Sequence, residues 1–212
     1  MENRCIIVSG GVFSPAPEQQ PGDFVIACDR GYAYCERLGL TPDLFIGDFD
    51  SYSGAVAPGV AVERLIPEKD DTDTGHAITY ALAHGFRTLV LTCALGGRLD
   101  HTIANLQMLR LLADADTAGI LIDAGHRVTL QRGGMWNSRQ VYRKPQTGKW
   151  YLSLFAMTPV CEGITSAGVA YPLEHGTLRA SYPLGVSNEI LGEQAEISVE
   201  KGDLLVVQAK NV

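Results

Sequence analysis

Leu89-Val90-Leu91-Thr92-Cys93-Ala94-Leu95-Gly96-Gly97-Arg98-Leu99-Asp100-His101 decides the fold. It opens with a continuous apolar run and breaks at a glycine pair. After Asp100 it enters a helical pattern carried by Ile103, Leu106, Met108, Leu109 and Leu112. A run with no polar alternation suits a strand buried on both faces of a parallel sheet. The same order of parts recurs elsewhere. Cys5–Val8 ends at Ser9-Gly10-Gly11, Phe24–Cys28 at Asp29, Leu44–Ile46 at Gly47-Asp48, and Gly119–Ile122 at Asp123. Thr72 is placed to cap a helix from about Asp73 to Ala83, with Ala77, Ile78, Ala81 and Leu82 on one face. Alternating strands and helices predict an open α/β layer fold, in which ligands bind beyond the carboxyl ends of the strands.

From about Gly125 onward helical periodicity fades. Short strands are expected at Arg127–Leu130, Trp150–Phe155, Gly168–Tyr171, Thr177–Ala180, Ala195–Val199 and Leu204–Gln208, and Gly133–Gly148 reads as a polar loop. The expected class is therefore α/β plus all-β. A three-layer, open parallel-sheet α/β domain spans residues 1–125, and an antiparallel β-sandwich spans residues 126–212.

Composition narrows the functions. The chain has 212 residues, 46% apolar and 19% charged, enough to bury a real core. A net charge of −7 argues against a nucleic-acid surface, which needs a basic footprint. It leaves room for a phosphate-bearing small molecule if magnesium sits between carboxylate and phosphate. The five cysteines form no Cys-x-x-Cys pair and no disulfide framework. No apolar stretch reaches the roughly 20 residues of a membrane span, and no signal-peptide pattern precedes Cys5. A cytoplasmic protein is expected.

The chemistry-bearing residues cluster where strands end. In Gly47-Asp48-Phe49-Asp50-Ser51, two carboxylates can converge on one cation if the chain turns, although Gly-Asp and Asp-Ser are also ordinary turn dipeptides. Lys69-Asp70-Asp71-Thr72-Asp73 precedes a helix. Asp73 suits the helix dipole there, and it also reads as a third metal ligand with Lys69 as a phosphate contact. Gly96 and Gly97 let the backbone approach a phosphate at a helix N-terminus, beside His101, and Arg98 can clamp a phosphate through two hydrogen bonds. Asp100 can bind metal through water or accept a hydroxyl proton. Asp29 adds a carboxylate at another strand end. One crevice that gathered Asp29, Asp48, Asp50, Asp73 and Asp100 would need a cation to offset their repulsion. The residues therefore predict a divalent-metal phosphate site suited to phosphoryl or pyrophosphoryl transfer.

The ordered set Asp29-Arg30-Gly31, Pro42-Asp43, Gly47-Asp48-Phe49-Asp50-Ser51, Lys69-Asp70-Asp71-Thr72-Asp73, Gly96-Gly97-Arg98-Leu99-Asp100-His101 and Asn105 resembles the thiamine pyrophosphokinase family. Gly168-Val169-Ala170-Tyr171-Pro172-Leu173 and Ser187-Asn188-Glu189 resemble that family's later segments. The resemblance implies a homodimer that transfers pyrophosphate from ATP to thiamine. Thiamine would lie between the α/β domain of one subunit and the sandwich of the other. It implies magnesium held by Asp48, Asp50 and Asp73 with Asp29 nearby, and nucleotide contacts from Lys69, Gly96, Gly97, Arg98 and His101. Catalytic roles fall to Asp73, Arg98 and Asp100, and substrate contacts to Asn105, Ser187 and Asn188. The chain departs from the family pattern at Arg30, at Tyr32-Ala33 and at Gly75. Two other readings compete. One is a manganese-dependent phosphohydrolase, which would want more histidines in the crevice; the other is a nucleotide- or thiamine-binding module without catalysis.

Overall fold

The computed structural model describes residues 3–48, 52, 54–66 and 71–211. The chain divides into two compact units, one ending at Ala124 and one beginning at Gly125.

In the first unit the strands are β1 (Arg4–Val8), β2 (Phe24–Cys28), β3 (Leu44–Gly47), β4 (Ala61–Arg64), β5 (Thr88–Thr92) and β6 (Ala118–Ile122). They pair in parallel in the order β4-β3-β2-β1-β5-β6. The helices are α1 (Gly31–Leu38), α2 (Asp73–Ala83) and α3 (Leu99–Asp114). Residues paired in register share a face of the sheet, and side chains alternate between faces along each strand. Ile6, Val8, Val25, Ala27 and Phe45 thus lie on one side and form a buried cluster with Tyr32 and Cys35 of α1. Cys5, Ile7, Ile26, Cys28 and Ile46 are equally buried on the other side. There α2 covers the sheet, with Phe24 stacked on Tyr80 at 6.4 Å and Cys28 Sγ donating to the Asp73 carbonyl at 3.7 Å. The helices therefore flank the sheet on both faces. That follows from right-handed crossovers in a sheet that grows outward from β1 in two directions.

The helix from Asp73 to Ala83 has the expected cap, Thr72 Oγ1 accepting from the Gly75 N–H at 3.0 Å. Two elements had no reading in the sequence. α1 has only eight residues and little room for periodicity, though Gly39 closes it with a left-handed C-cap at φ 68°. β4 is an exposed edge strand, Ala-Val-Glu-Arg, with no continuous apolar run.

In the second unit the strands are β7 (His126–Arg132), β8 (Arg139–Arg143), β9 (Trp150–Ala156), β10 (Val160–Ala167), β11 (Gly176–Arg179), β12 (Gln194–Ser198) and β13 (Asp203–Lys210). β13 runs antiparallel between β7 and β9, while the other four pair as β11-β10-β12-β8. Leu152, Leu154, Cys161, Ile164, Leu178, Ile197, Leu204 and Val206 form one buried cluster from the inner faces of both layers. Buried aliphatic side chains of this size each contribute about 1.5–3 kcal/mol. Gln131 on β7 crosses between the layers and donates to the Ile197 carbonyl at 3.0 Å.

Here the sequence reading needs correcting. β8 lies inside the stretch read as a loop; its inward residue Tyr142 is buried, but Val141 points outward exposed and Arg139, Gln140 and Arg143 are polar, which hides the pattern. β10 was not expected at all. Its register shifts between Cys161 and Ile164, and Gly163 takes φ 66°, so the alternation is broken. Gly168–Tyr171 is not a strand and contributes only the bridge Val169–Ile190.

Candidate active site

The first unit's sheet reverses direction of growth between β1 and β5, and a crevice of about 550 Å³ opens at that point. Such switch points are where open α/β sheets bind ligands, and the volume suits a nucleotide-sized molecule. Ser9, Gly10, Gly11 and Val12 line it after β1, Cys28, Asp29 and Arg30 after β2, and Cys93, Ala94, Gly96, Gly97 and Arg98 after β5. Thr72, Asp73 and Thr74 add the start of α2, His101 and Asn105 come from α3, and Tyr34 from α1.

Local sequence explains how these groups meet. Asp29 sits at φ 46°, in the left-handed region that aspartate tolerates better than most residues. Its N–H donates to the Ile46 carbonyl at 3.0 Å, and its carbonyl accepts from Tyr32 N–H at 2.9 Å. Gly31 lets the first turn of α1 sit against the end of β1, because a β-carbon there would overlap the Val8 carbonyl. Ser9 Oγ and Thr74 Oγ1, 2.9 Å apart and buried, tie the end of β1 to the first turn of α2. Gly96 and Gly97 take φ 77° and 69°, so this glycine pair is a conformational requirement of the turn into α3. Asn105 Nδ2 donates to the Ala94 carbonyl at 2.7 Å and pins that turn from below.

Two helices, α2 and α3, begin at this crevice. Their unpaired N–H groups and dipoles favour an anion there. Arg98 lines the crevice but is already engaged. Its Nη2 donates to Asp100 Oδ2 at 2.6 Å and its Nε to Asp100 Oδ1 at 3.2 Å. That hydrogen-bonded guanidinium, more than any other cause, holds the Asp100 carboxyl at about 2, well below the usual range. Asp100 itself is exposed and outside the crevice lining.

Of the aspartates that the sequence assigned to one crevice, Asp29 and Asp73 line it. Asp48 is half-buried and follows Gly47, against which the Asp29 carboxylate packs, but it is outside the lining. Asp50 and Lys69 lie outside the described residues. Among the described residues no three His, Cys, Asp or Glu side chains group as metal ligands. Magnesium does not require such a group. It is usually held by one or two carboxylates, with waters and substrate phosphates completing the shell, so the Asp29 and Asp73 pair fits that ion. Of the five histidines only His101 lines the crevice, and His76 is 2.6 Å from Glu63 instead. The histidine-rich centre that a phosphohydrolase would want is absent among the described residues.

Ser187 and Asn188 belong to the second unit. Ser187 sits at φ 63°, with its N–H held by the buried Ser153 Oγ at 3.0 Å. Asn188 Oδ1 accepts from the N–H groups of Tyr171 at 3.0 Å and Glu189 at 2.9 Å, and Nδ2 donates to the Tyr171 carbonyl at 2.7 Å. This arrangement limits what the Asn188 amide can offer a ligand. Both acceptor positions of the oxygen are occupied, leaving a single N–H.

Several crevice residues carried no assignment in the sequence. Ser9-Gly10-Gly11 bears the same strand-end glycine signal as Gly96-Gly97. Tyr34, whose hydroxyl donates to the Gly11 carbonyl at 3.0 Å, gave no signal, because its helix was not legible.

Residues 19–121 match the family model described as thiamin pyrophosphokinase, catalytic domain, and residues 140–204 match thiamin pyrophosphokinase, vitamin B1 binding domain. The thiamine pyrophosphokinase of Bacillus subtilis (strain 168) is 26% identical over 191 residues, covering 87% of this chain and 86% of that protein. The solved structure of the enzyme of that name from Bacillus subtilis has a TM-score of 0.88 at 24% identity, covering 99% of this chain and 100% of that one. A thiamin pyrophosphokinase family protein from Enterococcus faecalis has a TM-score of 0.83 at 28% identity, covering 99% of this chain and 100% of that one.

Proposed function

This chain belongs to the thiamine pyrophosphokinase family, and we infer that it transfers a pyrophosphoryl group from ATP to the hydroxyl of thiamine, giving thiamine diphosphate and AMP. It is a transferase of the thiamine diphosphokinase class, EC 2.7.6.2. The observation that carries the reading is the crevice at the sheet's switch point. Two helix N-termini and two carboxylates meet there, inside the segment that matches a catalytic domain.

ATP is the co-substrate, and its phosphates are assigned to this crevice. Gly96, Gly97 and the N–H groups that open α2 and α3 face the polyphosphate, with Arg98, His101 and Lys69 as side-chain contacts. Asp29, Asp48, Asp50 and Asp73 would hold Mg²⁺, which when bound offsets negative charge on the phosphates. The thiamine hydroxyl oxygen bonds to the β-phosphorus, the bond from that phosphorus to the α,β-bridging oxygen breaks, and AMP carries away the electron pair. The hydroxyl proton is assigned to the Asp73 carboxylate. Asp100 is hydrogen-bonded to Arg98, which holds its carboxyl low, and its role is to aim the guanidinium.

Thiamine is assigned to the second unit, whose residues 140–204 match a vitamin B1 binding domain. Ser187 offers its hydroxyl and Asn188 its remaining N–H, while Asn105 shapes the floor beside the transferring group. We further propose a homodimer. Supporting it are the exposed apolar side chains Leu99 and Ile103 on α3 and Tyr171, Leu184, Val186 and Leu191 on the second unit, which a subunit interface would cover. No described helix is long and apolar enough to cross a membrane, and the composition supports a cytoplasmic enzyme.

Purified Asp73→Asn and Asp48→Asn variants test the site assignment. Each should lose turnover while keeping the circular dichroism and melting temperature of the parent. Full activity in either would remove that carboxylate from the mechanism.

A further inference from the structure

We propose that Arg30 is a phosphate-binding residue of this crevice, contacting the β- and γ-phosphates of the bound nucleotide. The proposal rests on the reading of the crevice as the ATP site and names a recognition group within it.

Arg30 directly follows Asp29 at the end of β2 and immediately precedes α1. Its Cβ lies against the end of β1, where a β-carbon on Gly10 would sit 3.5 Å away. The residue is thus rooted between the ends of β1 and β2, beside the switch point between β1 and β5. It is exposed and lines the same crevice as Asp29 and Asp73.

The two arginines of the lining are in different states. Arg98 already spends its fork on Asp100. The Arg30 side chain makes no hydrogen bond or ion pair with any described residue, although Asp29 is its neighbour in sequence. A guanidinium offers five N–H donors in a planar fork that matches two phosphate oxygens at once. Within a crevice whose carboxylates are assigned to the metal, the ligand group that satisfies a free arginine is an anionic oxygen of the substrate. Leaving the fork open to water beforehand costs little, and binding then forms charge-assisted hydrogen bonds in a less hydrated setting.

The experiment compares ATP with AMP, which lacks the β- and γ-phosphates. Each nucleotide is titrated calorimetrically, with magnesium and without thiamine, into the parent chain, Arg30→Gln and Arg30→Lys. Melting temperatures confirm that the folds match. Arg30→Gln should weaken ATP by at least about tenfold and leave AMP unchanged within about twofold. Arg30→Lys should recover part of the loss, since it keeps the charge but not the fork. Unchanged ATP affinity in Arg30→Gln overturns the proposal, and so do equal losses for ATP and AMP. The comparison needs no turnover. If the parent binds ATP but makes no thiamine diphosphate, the transferase reading fails while the assignment of Arg30 is still decided by these titrations.

Discussion

The carboxylate of Asp29 occupies the space above Gly47 that a β-carbon would fill. β2 ends at a left-handed aspartate, β3 ends at a glycine, and the absence of a side chain on the second lets the first reach the crevice. Gly47→Ala should therefore displace Asp29 without unfolding the sheet. Overpacking of this kind costs about 1–3 kcal/mol of stability. A carboxylate moved by about 1 Å from a site that works by positioning should lower kcat/KM about a hundredfold. Steady-state kinetics alongside thermal melts check both numbers, and an Ala variant of undiminished activity would remove Asp29 from the site.

Asp100 makes a prediction about pH. Its carboxyl is lowered to about 2, chiefly by the hydrogen bonds from Arg98. For a depressed carboxylate, the stabilisation from the pair is fully present above the ordinary aspartate pKa. It fades as pH falls through about 2. Asp100 is therefore ionised throughout any range in which the protein is assayed. An acidic limb in the pH–rate profile must belong to another group, and Asp100→Asn should leave the midpoint of that limb in place. A shift of the midpoint in this variant would restore Asp100 as the proton acceptor.

Asn188 predicts a division between the two substrates. Its amide grips both main-chain groups of Tyr171 and the N–H of Glu189. Asn188→Ala should cost about 1–3 kcal/mol through three lost hydrogen bonds. With thiamine assigned to the second unit, the variant should raise the KM for thiamine and leave the KM for ATP near that of the parent. Equal rises in both would place the effect on global folding.

Thr72→Ala tests the helix start that carries Asp73. Loss of the Oγ1 bond to the Gly75 N–H should cost about 1 kcal/mol, read as a lower melting temperature.

Legibility in the sequence followed how each element meets its neighbours. Buried parallel strands such as Cys5–Val8 and Leu89–Thr92 announce themselves, because both faces must be apolar. β4, β8 and β10 do not, since an exposed edge, polar flanks and a bulge each erase the pattern. In the crevice, Asp29, Asp73, Gly96, Gly97 and Arg98 were legible because strand ends and helix starts mark them. Ser9-Gly10-Gly11 carried the strand-end signal but no charged side chain to give it a role, and Tyr34 reaches the crevice only through a tertiary contact, its hydroxyl on the Gly11 carbonyl. The Asn188 amide illustrates a different limit: sequence gives the donors and acceptors of a side chain, but only packing shows that its own backbone neighbours have claimed them.

The most direct test of the transferase reading is a single reaction containing the purified protein, thiamine, ATP and magnesium, with AMP release and thiamine diphosphate measured in the same sample. The account predicts AMP and thiamine diphosphate in equal amounts, both abolished by EDTA. Phosphate released from ATP without thiamine, with no thiamine diphosphate formed, would contradict it.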